Sequence, residues 1–269
     1  MALTFGMQNW QNYERPNPGA PLILCFGDSW VQYPFHRDGN LANRFLDFGD
    51  AQVMDIMALG ENGMEIGEPG KSNLHTLTTF LQYESRAINM IIVSGGGNDF
   101  AGSDDLLPLL RFGNQGDISS WFKTVETAEL FSRITRGYER VISLRDTFCP
   151  EVPIITHCYD YAHPDGRGLL GFSPWIRPAL DQIGMPRPMQ AQAVRYIIDH
   201  LAKVQQELAQ TTPLFTFVDT RNALGGTDWD NELHSTFAGF NKIAARFYPA
   251  IAQAFPEWTR KPAWLERLQ

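Results

Sequence analysis

The chain has 269 residues, of which 43% are hydrophobic and 19% are charged. This composition is typical of a globular protein with a buried core, and α/β folds often approach this length as one unit, so we predict a single domain over residues 1–269. The net charge of −8 and the lack of a basic stripe argue against a nucleic-acid-binding surface, and no apolar run approaches the roughly eighteen residues of a membrane span.

The first twenty residues are polar and rich in Asn and Pro, which predicts an N-terminal arm over residues 1–20. They lack the basic start, long apolar stretch and small-residue cleavage site of a signal peptide, so we expect a cytoplasmic protein. The chain has three cysteines, and we expect them to be buried hydrophobic residues rather than disulfide partners or metal ligands.

Five short apolar runs, many of them rich in β-branched residues, recur along the chain. Runs this short, without polar alternation, are typical of parallel strands that are covered on both faces. The predicted strands span residues 22–26, 51–57, 88–94, 152–158 and 213–219.

Three further segments carry apolar residues three or four positions apart and are predicted to be amphipathic helices: residues 120–145, 190–209 and 237–251. Strands that alternate with helices predict a three-layer α/β/α sandwich with about five parallel strands, joined by right-handed crossovers. Residues 159–188 interrupt this alternation, because they are rich in Gly, Pro and aromatic residues. Since they follow the fourth strand directly, we predict a lid or pocket wall there.

Four residues whose chemical groups suit catalysis follow predicted strands. Ser29 follows the first strand, Gly63 lies in the loop after the second, Asn98 follows the third, and His234 follows the fifth. Loops that leave the same end of parallel strands emerge at one edge of the sheet, so we expect these residues to meet. A serine needs a base such as imidazole to become a nucleophile, and backbone N–H groups or a side-chain amide can stabilise the oxyanion that forms.

These residues lie in sequence blocks that resemble those of the GDSL/SGNH hydrolase family. The blocks are Gly27-Asp28-Ser29 near the N-terminus, Gly63 in mid-chain, Gly97-Asn98-Asp99, and His234 near the C-terminus. The resemblance implies a flavodoxin-like α/β fold and an esterase or lipase that hydrolyses esters or thioesters of small molecules without a metal or other cofactor. We expect a serine esterase that acts on carboxylic esters, with short-chain acyl esters as candidate substrates, through an acyl-enzyme intermediate.

The resemblance also implies a role for each of four residues. Ser29 corresponds to the nucleophile, and its backbone N–H to the first oxyanion donor. Gly63 corresponds to the second donor, Asn98 to the third, and His234 to the general base of a catalytic triad. Asp28 and Asp99, which lie in the same blocks, are expected to hydrogen-bond turn amides rather than to act as acids.

The sequence departs from the family pattern at the third member of the triad. The family usually has an Asp three residues before the histidine, and this chain has Asn231 there. An Asn can align an imidazole but cannot stabilise its positive charge, and the equivalent change in a serine triad lowers kcat by about 10⁴. We therefore expect a neighbouring acid, Asp230 or else Asp228, to reach His234.

Three alternatives remain open. The same Ser-His site can transfer its acyl group to an alcohol and so act as an acyltransferase. His157, Asp160 and His163 lie three residues apart and have metal-competent side chains, so a metal-dependent hydrolase is a second alternative. A binding module that has lost catalysis is a third, suggested by Asn231.

Overall fold

The computed structural model describes residues 4–5, 19–33, 39–49, 54–113, 116–169 and 174–268. Within this part of the chain, six strands form one sheet. They are β1 (Thr4–Phe5), β2 (Leu22–Gly27), β3 (Asp55–Gly60), β4 (Ile88–Ser94), β5 (Ile154–His157) and β6 (Phe215–Val218).

The strands lie in the order β1-β3-β2-β4-β5-β6, and every neighbouring pair is parallel. The central five-stranded parallel sheet confirms the predicted fold class. The chain passes from β2 outward to β3 and then returns to β4 on the other side of β2. This reversal creates a crevice at the carboxyl ends of β2 and β4, the position where open α/β sheets bind ligands.

Two layers of helices cover the sheet. The α-helices in the described ranges are α1 (Leu41–Leu46), α2 (Leu74–Glu84), α3 (Asn98–Ala101), α4 (Ser103–Leu106), α5 (Thr124–Phe148), α6 (Arg177–Gln182), α7 (Arg187–Thr211), α8 (Phe237–Ala254) and α9 (Ala263–Glu266). Helices α1 and α9 pack against α8, and helices α2 and α7 pack against α5. The three predicted helices correspond to α5, α7 and α8.

Several element boundaries differ from the prediction, and the second strand is one example. The second strand was expected over residues 51–57, of which 51–53 lie outside the described residues; β3 spans Asp55–Gly60 and so continues beyond the expected end. Its register with β2 explains the shift, because Leu22 pairs with Asp55 and Gly27 pairs with Gly60, so both strands end at the same edge. In addition, β1 extends the sheet beyond the five expected strands, whereas most of the predicted arm lies outside the described residues.

The buried strands agree with the apolar pattern of the sequence. All six residues of β2 and all four of β5 are buried, as expected for strands covered on both faces. Cys25, Cys149 and Cys158 are buried free thiols, as predicted. No helix in the described ranges has the length and apolar character to cross a membrane.

Candidate active site

The structure brings Ser29 and His234 together. Ser29 lies in the turn after β2, and His234 lies in the loop that leads into α8. The Oγ atom of Ser29 is 2.8 Å from Nε2 of His234, and both residues are buried. The indole N–H of Trp30 donates to the carbonyl oxygen of Leu233 at 2.9 Å, so a second bond joins the same two loops.

The turn that carries Ser29 requires a glycine before it. A Cβ atom at Gly27 would lie 2.2 Å from the carbonyl oxygen of Ser94, far inside van der Waals contact. The backbone N–H of Asp28 donates to that same oxygen at 3.1 Å. The absence of a side chain therefore lets the end of β2 approach β4 closely, which places the serine over the crevice between these strands.

Asn231, rather than either expected acid, contacts the histidine ring. Its Oδ1 atom lies 3.1 Å from Nδ1 of His234. The expectation of Asp228 or Asp230 at this position is wrong. Asp228 is buried and binds Lys242 at 2.7 Å, and Asp230 Oδ2 accepts from the Asn231 amide at 3.3 Å. Asp230 is thus hydrogen-bonded to the residue that faces the imidazole.

The hydrogen bonds of Asn231 fix which way its amide faces. The Oδ1 atom accepts from the backbone N–H groups of Leu233 and His234, at 3.0 and 2.9 Å. The Nδ2 atom donates to the hydroxyl of Tyr33 at 3.1 Å and to Asp230. Because oxygen faces Nδ1, that nitrogen must carry the proton, and Nε2 is left with a lone pair for the hydroxyl of Ser29. This is the tautomer that a general base requires.

The ring of Tyr33 stacks on the face of the His234 imidazole. The two rings are stacked with centroids 4.1 Å apart and planes 19° apart, while the Tyr33 hydroxyl also accepts from Asn231. One tyrosine therefore contacts both the base and the residue that orients it. The sequence did not distinguish this role from an ordinary core or pocket position for Tyr33, because the ring lies about two hundred residues from its partner.

The predicted oxyanion donors lie on adjoining loops. Asn98 is the first residue of α3, and its Nδ2 donates to the carbonyl oxygen of Met64 at 3.2 Å. An amide nitrogen carries two hydrogens, so this bond leaves one for an oxyanion. Gly63 precedes Met64 and has a positive φ of 77°, which favours glycine. Asn98 lines a cavity together with Ser29, whereas Gly63 is exposed and is not among the described residues that line it.

Asp28 and Asp99 hold the loops, in agreement with the expected structural role. Asp28 Oδ1 accepts from the backbone N–H of Trp30 at 3.0 Å and thereby closes the turn around Ser29. Asp99 accepts from the N–H groups of Ile66 and Gly67 at 3.0 and 2.7 Å. Burial raises the pKa of Asp28 to about 6 and that of Asp99 to about 7.

Proteins of known structure share this fold. No protein-family model matches the sequence, and a search of curated proteins finds no match. Among solved structures, a carbohydrate acetylesterase from Sinorhizobium meliloti matches 87% of this chain and 100% of its own, at 15% identity and a TM-score of 0.54. An extracellular lipase from Streptomyces rimosus matches 87% of this chain and 100% of its own, at 14% identity and a TM-score of 0.50.

A third solved structure, described as a GDSL-like lipase from Bacteroides ovatus, matches 92% of this chain but 56% of its own length, at 15% identity and a TM-score of 0.50. The chain has the GDSL/SGNH hydrolase fold. At these identities the comparisons establish the fold, and the activity has to be argued from the site itself.

Behind the nucleophile, the SGNH fold of this chain contains a buried polar chain. Tyr159 donates its backbone N–H to Nδ1 of His157 at 3.1 Å, so Nε2 carries the ring proton and donates to Ser94 Oγ at 3.0 Å. Ser94 donates in turn to Asp28 at 3.0 Å, and the Tyr159 hydroxyl donates to the same carboxyl group at 2.5 Å. Burial lowers the pKa of His157 to about 3, so the ring is neutral.

The proposed metal ligands are occupied by other bonds and contacts. His157 belongs to the buried chain, and Asp160 accepts from three backbone N–H groups, those of residues 161, 222 and 224, through both of its oxygens. The ring of His163 lies against that of Trp229, with centroids 5.7 Å apart. Among the described residues, no group of three or more His, Cys, Asp or Glu side chains is arranged to hold a metal ion. The geometry gives the metal-site alternative no support.

A second residue that sequence reasoning missed is Glu232, two positions before the histidine. Its carboxylate is fully buried and accepts from four backbone N–H groups at 2.7–3.2 Å, those of Gly166, Trp175, Ile176 and Arg177. These donors all belong to the predicted lid or pocket wall, residues 159–188. One carboxylate therefore attaches this segment to the loop that carries His234.

Proposed function

We propose that this chain is a metal-independent serine hydrolase that cleaves carboxylic esters through an acyl-enzyme intermediate. The observation that carries the proposal is the 2.8 Å contact between Ser29 Oγ and His234 Nε2, in the tautomer that Asn231 selects. The site is buried at the switch point of the sheet, where electrostatic interactions are stronger than in water.

In the proposed reaction, His234 removes the proton of Ser29 as its Oγ attacks the ester carbonyl carbon. The Ser29 N–H, the Gly63 N–H and the Asn98 amide stabilise the tetrahedral oxyanion, and loss of one such donor lowers kcat by about 10²–10³. His234 then protonates the leaving alcohol. Water, activated by the same imidazole, hydrolyses the acyl-enzyme and releases the acid.

The test is a comparison of Ser29→Ala with Ser132→Ala, an exposed serine on α5 that serves as a matched control. We expect Ser29→Ala to abolish turnover of p-nitrophenyl acetate and butyrate and covalent labelling by a fluorophosphonate, while Ser132→Ala retains both. Retained activity in Ser29→Ala would refute the assignment of the nucleophile. Loss of wild-type activity on chelation would instead favour the metal-dependent alternative.

Product analysis separates hydrolysis from acyl transfer. With an acceptor alcohol present, the proposed hydrolase releases mainly the free acid, because water reaches the acyl-enzyme. A predominance of the new ester would assign the same Ser29 and His234 chemistry to an acyltransferase.

A further inference from the structure

A cavity extends from the reacting groups into the interior of the protein. Ser29, Asn98 and His234 line one part of it. The rest of the wall is mostly apolar and comes from α3, α4, α6 and α7, together with neighbouring loops. The apolar residues of this wall that are buried include Phe100, Ala101, Leu106, Phe122, Ile176, Leu180, Ala193, Val194, Ile197 and Ile198.

The cavity has a volume of about 660 Å³ when its open part is counted, and most of the side chains that line it are apolar. Such a lining suits an aliphatic chain, which has no polar groups that need hydrogen-bond partners. A sugar in the apolar part would also leave hydroxyl groups without hydrogen-bond partners, which is unfavourable in a buried site.

The cavity suits the acyl part of an ester better than the alcohol part. The acyl group stays covalently attached to the serine through both half-reactions, so a site in the buried interior can hold it throughout. The alcohol must leave, and water must enter beside His234, before the second half-reaction starts. The part of the substrate in the inner cavity is therefore the part that remains.

We propose that this cavity binds the aliphatic acyl chain of the substrate, so that the enzyme prefers esters of medium-chain fatty acids to acetate esters. The inference rests on the proposed function of Ser29 as the acyl-carrying nucleophile. Each methylene group that enters the cavity should raise kcat/KM about fourfold, which corresponds to roughly 0.8 kcal/mol per buried CH₂. Four methylenes, from acetate to hexanoate, give roughly 250-fold.

The first test varies the two sides of the ester separately. We expect kcat/KM to rise from p-nitrophenyl acetate through butyrate to hexanoate, and to respond weakly when acetate esters of longer alcohols are compared. A rate that is highest for acetate, or a strong response to the alcohol series alone, would overturn the inference. The proposed function would survive either result, since both still require Ser29-dependent hydrolysis.

The second test fills the cavity. Ala193 lines it on α7, whereas Ala209, on the same helix, is not among the described residues that line it. We expect Ala193→Leu to lower the ratio of hexanoate to acetate kcat/KM at least tenfold, and Ala209→Leu to leave this ratio unchanged. Equal ratios in the two variants would contradict the assignment of the cavity.

A binding measurement covers the cases in which turnover or the folding of Ala193→Leu fails. Octanoate should raise the thermal midpoint of the wild-type protein and of Ser29→Ala, while acetate at the same concentration should not. Octanoate binding without hydrolysis of any ester would keep the inferred cavity and refute the proposed esterase. A failure of octanoate to stabilise either protein would refute the cavity assignment.

Discussion

Asn231 offers the sharpest test of the catalytic geometry. When His234 takes the proton of Ser29 it becomes positively charged, and an amide aligns that charge without neutralising it. Asn231→Asp supplies the missing negative charge. The two backbone N–H groups that now bind Oδ1 can bind the carboxylate in the same way, so we expect the alignment of the ring to persist.

The nearby carboxylate of Asp230 would repel the negative charge that Asn231→Asp introduces, and so reduce its benefit to catalysis. In Asn231→Asp a carboxylate oxygen would replace the nitrogen that now lies 3.3 Å from Asp230 Oδ2. Two negative charges at this distance repel by about 1 kcal/mol in water and by about 5 kcal/mol at an effective dielectric constant of 20. Asp230 is exposed, so the lower figure is closer. The change is therefore best combined with Asp230→Asn, whose amide can donate to the new carboxylate.

The expected gain is modest because the tautomer is already correct. A hydrogen bond to a charged group contributes about 1.5–3 kcal/mol, compared with about 1 kcal/mol for a neutral one. The difference of about 1–2 kcal/mol corresponds to roughly a tenfold increase in kcat. We expect this increase in the double variant, a smaller one in Asn231→Asp alone, and none in Asp230→Asn alone.

The assay is the kcat for p-nitrophenyl butyrate at pH 8, normalised to the fraction of sites that a fluorophosphonate labels. An increase of 10³ or more in the double variant would refute the argument that Asn231 already selects the productive tautomer. An unchanged or lower kcat in a correctly folded double variant would contradict the role of His234 as the general base.

Three further predictions concern stability, measured by urea unfolding. Gly27→Ala should destabilise the protein by about 1–3 kcal/mol, because its methyl group meets the Ser94 carbonyl; wild-type stability would show that the close approach is unimportant. Glu232→Gln should lower the free energy of unfolding by about 3 kcal/mol and expose the segment around Ile176 to proteases, since an amide cannot accept from four N–H groups. A decrease of less than about 0.5 kcal/mol, roughly the scatter of neutral surface changes, would contradict the anchoring role. Burial lowers the pKa of His157 from 6.5 to about 3, so the stability it contributes is complete above pH 6.5 and is lost as the pH falls towards 3. The free energy of unfolding of His157→Gln should therefore fall less steeply over that range than that of the wild-type protein, with a difference in slope of up to about 1.4 kcal/mol per pH unit. Parallel pH profiles of the two proteins would refute this assignment.

Much of the fold, and the location of the candidate site, could be predicted from the sequence. The positions of the main strands and helices follow from short-range apolar periodicity, which each segment carries by itself. Ser29, Asn98 and His234 stand out because each follows such a strand, and parallel topology then brings the strand ends to one edge. The end of β3 was misplaced, because its limits depend on register with β2 rather than on its own composition.

The identity of the group beside the histidine was decided by the tertiary structure alone. Asn231, Asp230 and Asp228 lie within four residues of one another, and only the loop geometry determines which side chain reaches Nδ1. The anchoring by Glu232 and the apolar cavity likewise depend on segments far apart in the chain. Hydrogen bonds and cavities are sensitive to displacements of about 1 Å, and such distances are set by the packing of the whole protein rather than by any local pattern of residues.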